Sequence, residues 1–364
     1  MTASRQTHKP GRLGLPDIQL VEAGVAQFAS IIRADIVNEH PYVRQAVESY
    51  LSVLEGGGKR IRGLLTVCGY QMHGGADKDL ITLITGVIEG LHAYMLVIDD
   101  IADHARTRRG NPTAHIRMER YLTKHQAAGD VKQTASDMAI SGALTGQHKA
   151  QVVLAKLPIQ PEYKQRIIEI VNERLIRTGL GQILDIASTT GIPMDIEIIK
   201  SIALSKTAYY TFQMPLETGA VLAGAPDSSI QLLKNYALHA GFAFQLQDDI
   251  MGVFGDEKKM GKSAKSDIME GKQTLLLAFA TEAASRAQKD ELRRAMGNQR
   301  LTDKEFKRCQ DIIVSTGALN KVGIMANDQV ALAHEVLDNA PTNWPTKNVE
   351  YLRELASFAA DREI

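Results

Sequence analysis

Apolar residues recur at three- and four-residue spacing along most of this chain, and runs that alternate apolar with polar side chains are rare. That pattern points to packed helices, because a sheet needs a two-residue period. The spacing predicts helices over residues 17–54 (broken near Pro41), 60–73, 79–104, 134–156, 162–186, 195–222 and 227–254. Shorter ones follow over 272–285, 289–297, 302–316, 318–339 and 346–360. Turn-forming clusters separate them, among them Glu55-Gly56-Gly57-Gly58, Arg109-Gly110-Asn111-Pro112 and Thr190-Gly191-Ile192-Pro193. No Pro/Ser-rich linker and no tandem repeat divides the chain. Residues 16–364 therefore read as a single all-α domain, a helical bundle. Residues 1–15 are polar and basic and read as a flexible tail rather than a signal peptide.

Composition removes several functions. Lys plus Arg and Asp plus Glu both number 42, so no global charge suggests a nucleic-acid partner. Two cysteines without a CxxC pair argue against a disulfide scaffold or a zinc site and fit a reducing, cytoplasmic setting. The most apolar stretch, Leu80 to Ile98, is interrupted by Glu89 and His92, and reads as a buried helix rather than a transmembrane segment.

Chemistry concentrates at two acidic pairs. Asp99-Asp100-Ile101-Ala102-Asp103 ends an apolar helix, and residues four apart share a face, so Asp99 and Asp103 project together. Clustered carboxylates repel unless a cation sits among them, and hard oxygen ligands suit magnesium. A solvated helix end is the better explanation of such a motif when it stands alone. Here Asp248-Asp249 closes a second apolar run, with Asp256 shortly after. Two acidic helix ends suggest a shared metal site in a bundle.

Cationic residues flank both motifs. Gly56-Gly57-Gly58-Lys59-Arg60-Ile61-Arg62 joins a glycine-rich loop to a helix start, where backbone N–H groups and the helix dipole favour an anion. Arg108 and Arg109 follow the first motif, Lys206 and Thr207 interrupt an apolar helix, and Lys262 and Lys272 follow the second motif. Each alone is an ordinary surface charge; together they suit a diphosphate held with a metal. Two other patterns fail. The 255–263 segment has one residue too many for a P-loop and no preceding strand, and His334-Glu335-Val336-Leu337-Asp338 lacks the second histidine of a zinc protease. His104 beside the aspartates reads as solvated.

The segments GGGKRIR (56–62), LHAYMLVIDDIAD (91–103), RRGNPT (108–113), GQILD (181–185), SKTAYYTFQMPLETGA (205–220), FQLQDDIMGVFGD (244–256) and GKSAKSDIMEGKQT (261–274) resemble the trans-polyprenyl diphosphate synthase family. That family includes farnesyl and geranylgeranyl diphosphate synthases. The resemblance implies an isoprenoid synthase-type bundle around a deep central cavity, a homodimer, and three magnesium ions per site. It implies metal ligation by Asp99, Asp103 and Asp248, with Asp249 and Asp185 nearby. Lys59, Arg62, His92 and Arg109 would bind isopentenyl diphosphate. Arg108, Lys206, Thr207, Gln245, Lys262 and Lys272 would meet the allylic diphosphate (dimethylallyl, geranyl or farnesyl). His92 lies two helical turns before Asp99 and so shares its face. One position departs: the fifth residue of the second motif is Gly252, so a third carboxylate there is absent or comes from Asp256.

The implied reaction is ionisation of the allylic diphosphate, attack by the isopentenyl double bond, and proton loss to the departed diphosphate. Product length would depend on the cavity floor beneath Asp99. A helical wheel puts Met95 and Ile88 below it, while the family's floor position, five before the first aspartate, is Tyr94. A Tyr94 floor suggests geranylgeranyl diphosphate, with farnesyl diphosphate second. A class I terpene cyclase would not need Lys59, Arg62 and His92, and shows an NSE-type metal motif that this chain lacks. An inactive regulatory subunit finds support only in Gly252.

Overall fold

The structure is a computed structural model that describes residues 18–256 and 264–360. Lys262 and the tail over residues 1–15 lie outside the described residues. The chain divides into two compact units, Pro16–Val171 with Thr218–Ala225, and Asn172–Glu217 with Pro226–Ile364.

The first unit holds α1 (Ile18–Ile36), α2 (Pro41–Leu54), α3 (Ile61–Met72), α4 (Lys78–Ala102), a small hairpin of β1 (Thr107–Arg108) and β2 (Asn111–Pro112), α5 (Ala114–Lys124) and α6 (Val131–Ala155). Helix α4 is its centre, with α1, α2, α3, α5 and α6 all packed on it. Asp77 starts α4 by accepting a hydrogen bond from the Leu80 N–H at 3.0 Å. Ile84, Val87, Ile88 and Leu91 are fully buried along α4. Each such side chain contributes roughly 1.5–3 kcal/mol on leaving water. A Cβ on Gly86 would lie 2.0 Å from Gly24 O, so glycine lets α1 and α4 touch backbone to backbone. Tyr50 donates its hydroxyl to Gly90 O at 2.9 Å, and Gly146 leaves room for the Tyr50 ring. Helix α4 is long and apolar enough to cross a membrane by length and composition alone, but 61% of its most apolar window is buried inside the protein.

Helix α7 (Pro161–Ser188) and α9 (Met214–Leu222) contribute residues to both units. The second unit adds α8 (Ile196–Ala203), a π-helical segment (Leu204–Gln213), α10 (Asp227–Phe254), α11 (Ser266–Glu270), α12 (Leu275–Ala283), α13 (Arg286–Ala295), α14 (Asp303–Ser315), α15 (Ala318–Asp338) and α16 (Thr346–Ala360). Helix α10 packs against α15, α16 and the π-helical segment. Its buried Phe242, Leu246, Ile250 and Val253 meet Leu276 and Ile312 in one core. Capping boxes at Ser285/Gln288 and Thr302/Glu305 start α13 and α14.

Three elements depart from the apolar spacing. Helix α5 buries only Ala114, Ile116, Met118 and Leu122, and its charged remainder masks the period. Helix α11 has five residues, too few to show a period. The expected helix over 195–222 is α8, a ten-residue π-helical segment and α9.

Candidate functional site

In the first unit, α4 delivers Glu89, His92, Asp99 and Asp100 in succession and ends at Asp103. The Asp103 N–H donates to Asp99 O and closes the helix. Carboxylates at a helix C-terminus meet the negative end of its dipole, an arrangement that needs cations nearby. The hairpin after α4 supplies one. Arg108 Nε donates to Asp100 Oδ1 at 2.8 Å, and Nη2 reaches Asp99 Oδ2 at 3.4 Å. The Asp100 side chain is only 1% exposed, and burial raises its pKa against the opposing pull of Arg108. Arg108 therefore anchors the acidic motif itself, a role that its spacing alone does not reveal.

The glycine loop explains Arg109. Gly57 (φ 74°) and Gly58 (φ 144°) occupy left-handed backbone. A Cβ on Gly58 would lie 2.7 Å from the Arg109 guanidinium, which donates to Gly57 O. The glycines thus let Arg109 lie flat on the loop beside Lys59, which is exposed. A shallow open cleft runs from this loop to the hairpin, lined in part by Gly56, Arg108, Arg109 and Asn111. Half-buried His92 sits in the field of this cluster. Burial first, then the charges of Arg62, Arg109, Arg108 and Arg60, hold its pKa well below the usual histidine value. A neutral imidazole there offers one donor and one acceptor.

Arg60 differs from its neighbours. Its backbone is left-handed (φ 50°), and its side chain, 4% exposed, lies between Glu22 at 2.9 Å and Glu89 at 3.3 Å. Glu89 also accepts the Gly63 N–H at 2.9 Å. Neither Glu22 nor Glu89 was legible as part of the basic cluster. The spacing of Glu89 three residues before His92, one helical turn, was the available signal.

The second unit gathers the other group. Lys206 Nζ is 2.5 Å from Asp185 Oδ2. Thr207 donates its hydroxyl to Gln245 Oε1, and Gln245 Nε2 donates to Asp249 Oδ1 at 2.7 Å. Lys206 and Thr207 lie in the π-helical segment, whose wider turns are frequent at functional sites. A Cβ on Gly241 would lie 2.5 Å from Ala208 Cα, so α10 and this segment are in backbone contact. Burial pushes the Asp249 carboxyl up to about 8. The Gln245 hydrogen bond opposes this, while Asp267, Asp248 and Asp185 reinforce it. Lys272 pairs with Glu270 at 2.7 Å.

Asp267 is a residue that the acidic pairs did not point to. It is 7% exposed, and a Cβ built on Gly252 would lie 1.9 Å from its Oδ2. Its carboxylate fills the room that a side chain at the fifth position of the second motif would take. Asp256, by contrast, is exposed. Of the residues expected to set product length, Tyr94 and Met95 are half-buried on α4, while Ile88 is fully buried in its core.

Among the described residues, no three His, Cys, Asp or Glu side chains form a ready-made metal cage. A hard cation here would share its shell with water and ligand oxygens, as magnesium does. The buried Asp249 beside three other carboxylates has the donor chemistry for one.

Residues 42–313 match the polyprenyl synthetase family. The chain belongs to that family. Over 315 residues it is 30% identical to a geranylgeranyl diphosphate synthase of Saccharolobus solfataricus, covering 86% of this chain and 90% of that one. Over 316 residues it is 29% identical to a geranylfarnesyl diphosphate synthase of Aeropyrum pernix, covering 86% and 92%. Among solved structures, a geranylgeranyl pyrophosphate synthase from Corynebacterium glutamicum, complexed with isoprenyl diphosphate and magnesium, superposes with a TM-score of 0.89. That pair is 29% identical, over 95% of this chain and 98% of the other. This polyprenyl synthetase is a prenyltransferase with the all-α isoprenoid synthase fold.

Proposed function

We propose that this polyprenyl synthetase joins an allylic diphosphate to isopentenyl diphosphate, head to tail, with geranylgeranyl diphosphate as its main product. The observation that carries this is the pairing, within one unit, of an acidic helix end with a separate basic cluster around neutral His92. A cyclase ionises one diphosphate and has no use for a second diphosphate site; a synthase needs both.

The roles follow from the chemistry. Lys59, Arg62, His92 and Arg109 hold the isopentenyl diphosphate, the arginine forks matching its oxygens. Asp99 and Asp103 of the first unit, and Asp248 of the second with Asp249 and Asp185 of that same unit, would hold magnesium, as three ions. Magnesium, when bound, supplies positive charge that offsets the negative charge on the departing diphosphate. Lys206 and Lys272 add to that offset, and Arg108 holds the first acidic motif in register for it. The allylic C–O bond breaks, the isopentenyl double bond forms the new C–C bond, and a proton leaves to the departed diphosphate. Thr207 and Gln245, linked by a hydrogen bond, orient the allylic end, and backbone carbonyl oxygens near Lys206 and Gln245 would stabilise the developing cation. The deep apolar cavity that the family resemblance implies would keep water from that cation, with Tyr94 as its floor and Met95 beside it.

The protein acts as a homodimer in the cytoplasm. The exposed apolar stripe of Ile140, Leu144 and Val152 on α6 supports self-association, and two buried free cysteines suit a reducing compartment. Omitting isopentenyl diphosphate, or chelating magnesium, should each abolish consumption of the allylic substrate. Consumption that continues without isopentenyl diphosphate would favour a cyclase.

A further inference from the structure

The basic loop contains one arginine that cannot meet a ligand. Arg60 lies between Lys59 and Arg62, yet its guanidinium is buried and held by carboxylates from two other helices, Glu22 of α1 and Glu89 of α4. Glu89, itself 2% exposed, makes two different contacts. Oε2 accepts from Arg60, and Oε1 accepts from the Gly63 N–H in the first turn of α3. One carboxylate thus ties down both the side chain and the backbone that bracket Arg62. One helical turn further along α4 stands His92.

Stability alone is a weak reason for such an arrangement. A buried ion pair gains little over apolar packing of the same volume, whereas it fixes geometry well. Arg60 also adopts a left-handed backbone, an unfavourable conformation for a residue with a Cβ, and the two carboxylates hold it there. Glu89 further offsets the positive charge on Arg109.

We propose that Glu89 is a positioning residue for the isopentenyl diphosphate subsite. By holding Arg60 and the Gly63 amide together, it fixes the directions in which Lys59 and Arg62 leave the chain and keeps them in register with His92. This rests on the reading above that Lys59, Arg62 and His92 bind the isopentenyl diphosphate.

The test uses the full-length enzyme and the Glu89→Gln variant, which keeps the shape and loses the charge. KM is measured for isopentenyl diphosphate and for geranyl diphosphate, with kcat, and isopentenyl diphosphate binding is followed by calorimetry without turnover. The expected result is a rise of about tenfold or more in KM and Kd for isopentenyl diphosphate. The KM for geranyl diphosphate and kcat should stay within about twofold of the parent. Arg60→Lys, which keeps the charge and loses the fork, should show the same split and serves where Glu89→Gln does not fold. A lower melting temperature with unchanged isopentenyl diphosphate affinity in either variant would reduce Glu89 to a structural residue and overturn the proposal. Arg62→Ala separates the two ideas. If it weakens isopentenyl diphosphate binding while Glu89→Gln does not, the positioning role fails and the subsite reading stands. If Arg62→Ala also leaves that binding unchanged, the subsite reading falls, and this proposal with it.

Discussion

Gly252 stands where a repeated acidic motif would place its last carboxylate, and Asp267 reaches the same spot from α11. Gly252→Asp should therefore destabilise the protein by about 1–3 kcal/mol through overpacking, with like-charge repulsion added. Thermal melting checks this, and adding Asp267→Gly to Gly252→Asp should recover most of the loss. At His92 the sign of the pH dependence is fixed by its lowered pKa. The unfolded chain takes up a proton near pH 6.5 while the folded site resists it. Stability from the neutral ring is complete above that value and falls as the pH drops towards the folded pKa. Melts of the ligand-free protein between about pH 7 and pH 5 should fall more steeply than those of His92→Gln. Tyr94→Ala should lengthen the product; an unchanged product distribution would remove Tyr94 as the floor. The sequence pointed to the aspartates because they close two apolar helices, to Lys59 and Arg62 because they follow a glycine run, and to His92 through the family resemblance, two turns before Asp99. Arg60, Glu22, Glu89 and Asp267 were not, because only folding decides which charge in a cluster turns inward.

At the scale of elements, the apolar period locates the long helices to within a few residues, since each buries one continuous stripe. It does not find the π-helical segment over Leu204–Gln213, where the sequence shows only Lys206 and Thr207 interrupting an apolar run. A wider turn has no distinct side-chain signature of its own. Its placement depends on contact with α10 at Gly241. Gly241→Ala should push the segment outward and displace Lys206 and Thr207. The expected outcome is a fall of about 10²-fold in kcat/KM for the allylic substrate, with much less change in the KM for isopentenyl diphosphate. Steady-state kinetics with each substrate varied in turn measures it. Helix α5 escaped notice because its buried Ala114, Ile116, Met118 and Leu122 fall at spacings of two and four, interleaved with Arg117, Glu119, Arg120 and Lys124.

At the scale of the whole molecule, the sequence implied one helical domain, and the chain forms two compact helical units. Each unit carries one of the two acidic motifs, the first held by Arg108, the second by Gln245 with the Lys206–Asp185 pair in the same unit. The unit that holds the first motif also holds the separate basic cluster of Lys59, Arg62, His92 and Arg109, which suits a reaction in which one diphosphate substrate loses its diphosphate and the other keeps it. Membership of the polyprenyl synthetase family limits the chemistry to prenyl transfer, but relatives at about 30% identity make products that differ by one isoprene unit. Product identity must therefore be read from this protein. The most direct measurement incubates the purified chain with magnesium, labelled isopentenyl diphosphate and each allylic diphosphate in turn, and separates the labelled products by length. The account predicts a single linear prenyl diphosphate of geranylgeranyl length that incorporates the label. An unlabelled cyclic hydrocarbon, or no labelled product from any starter, would contradict it.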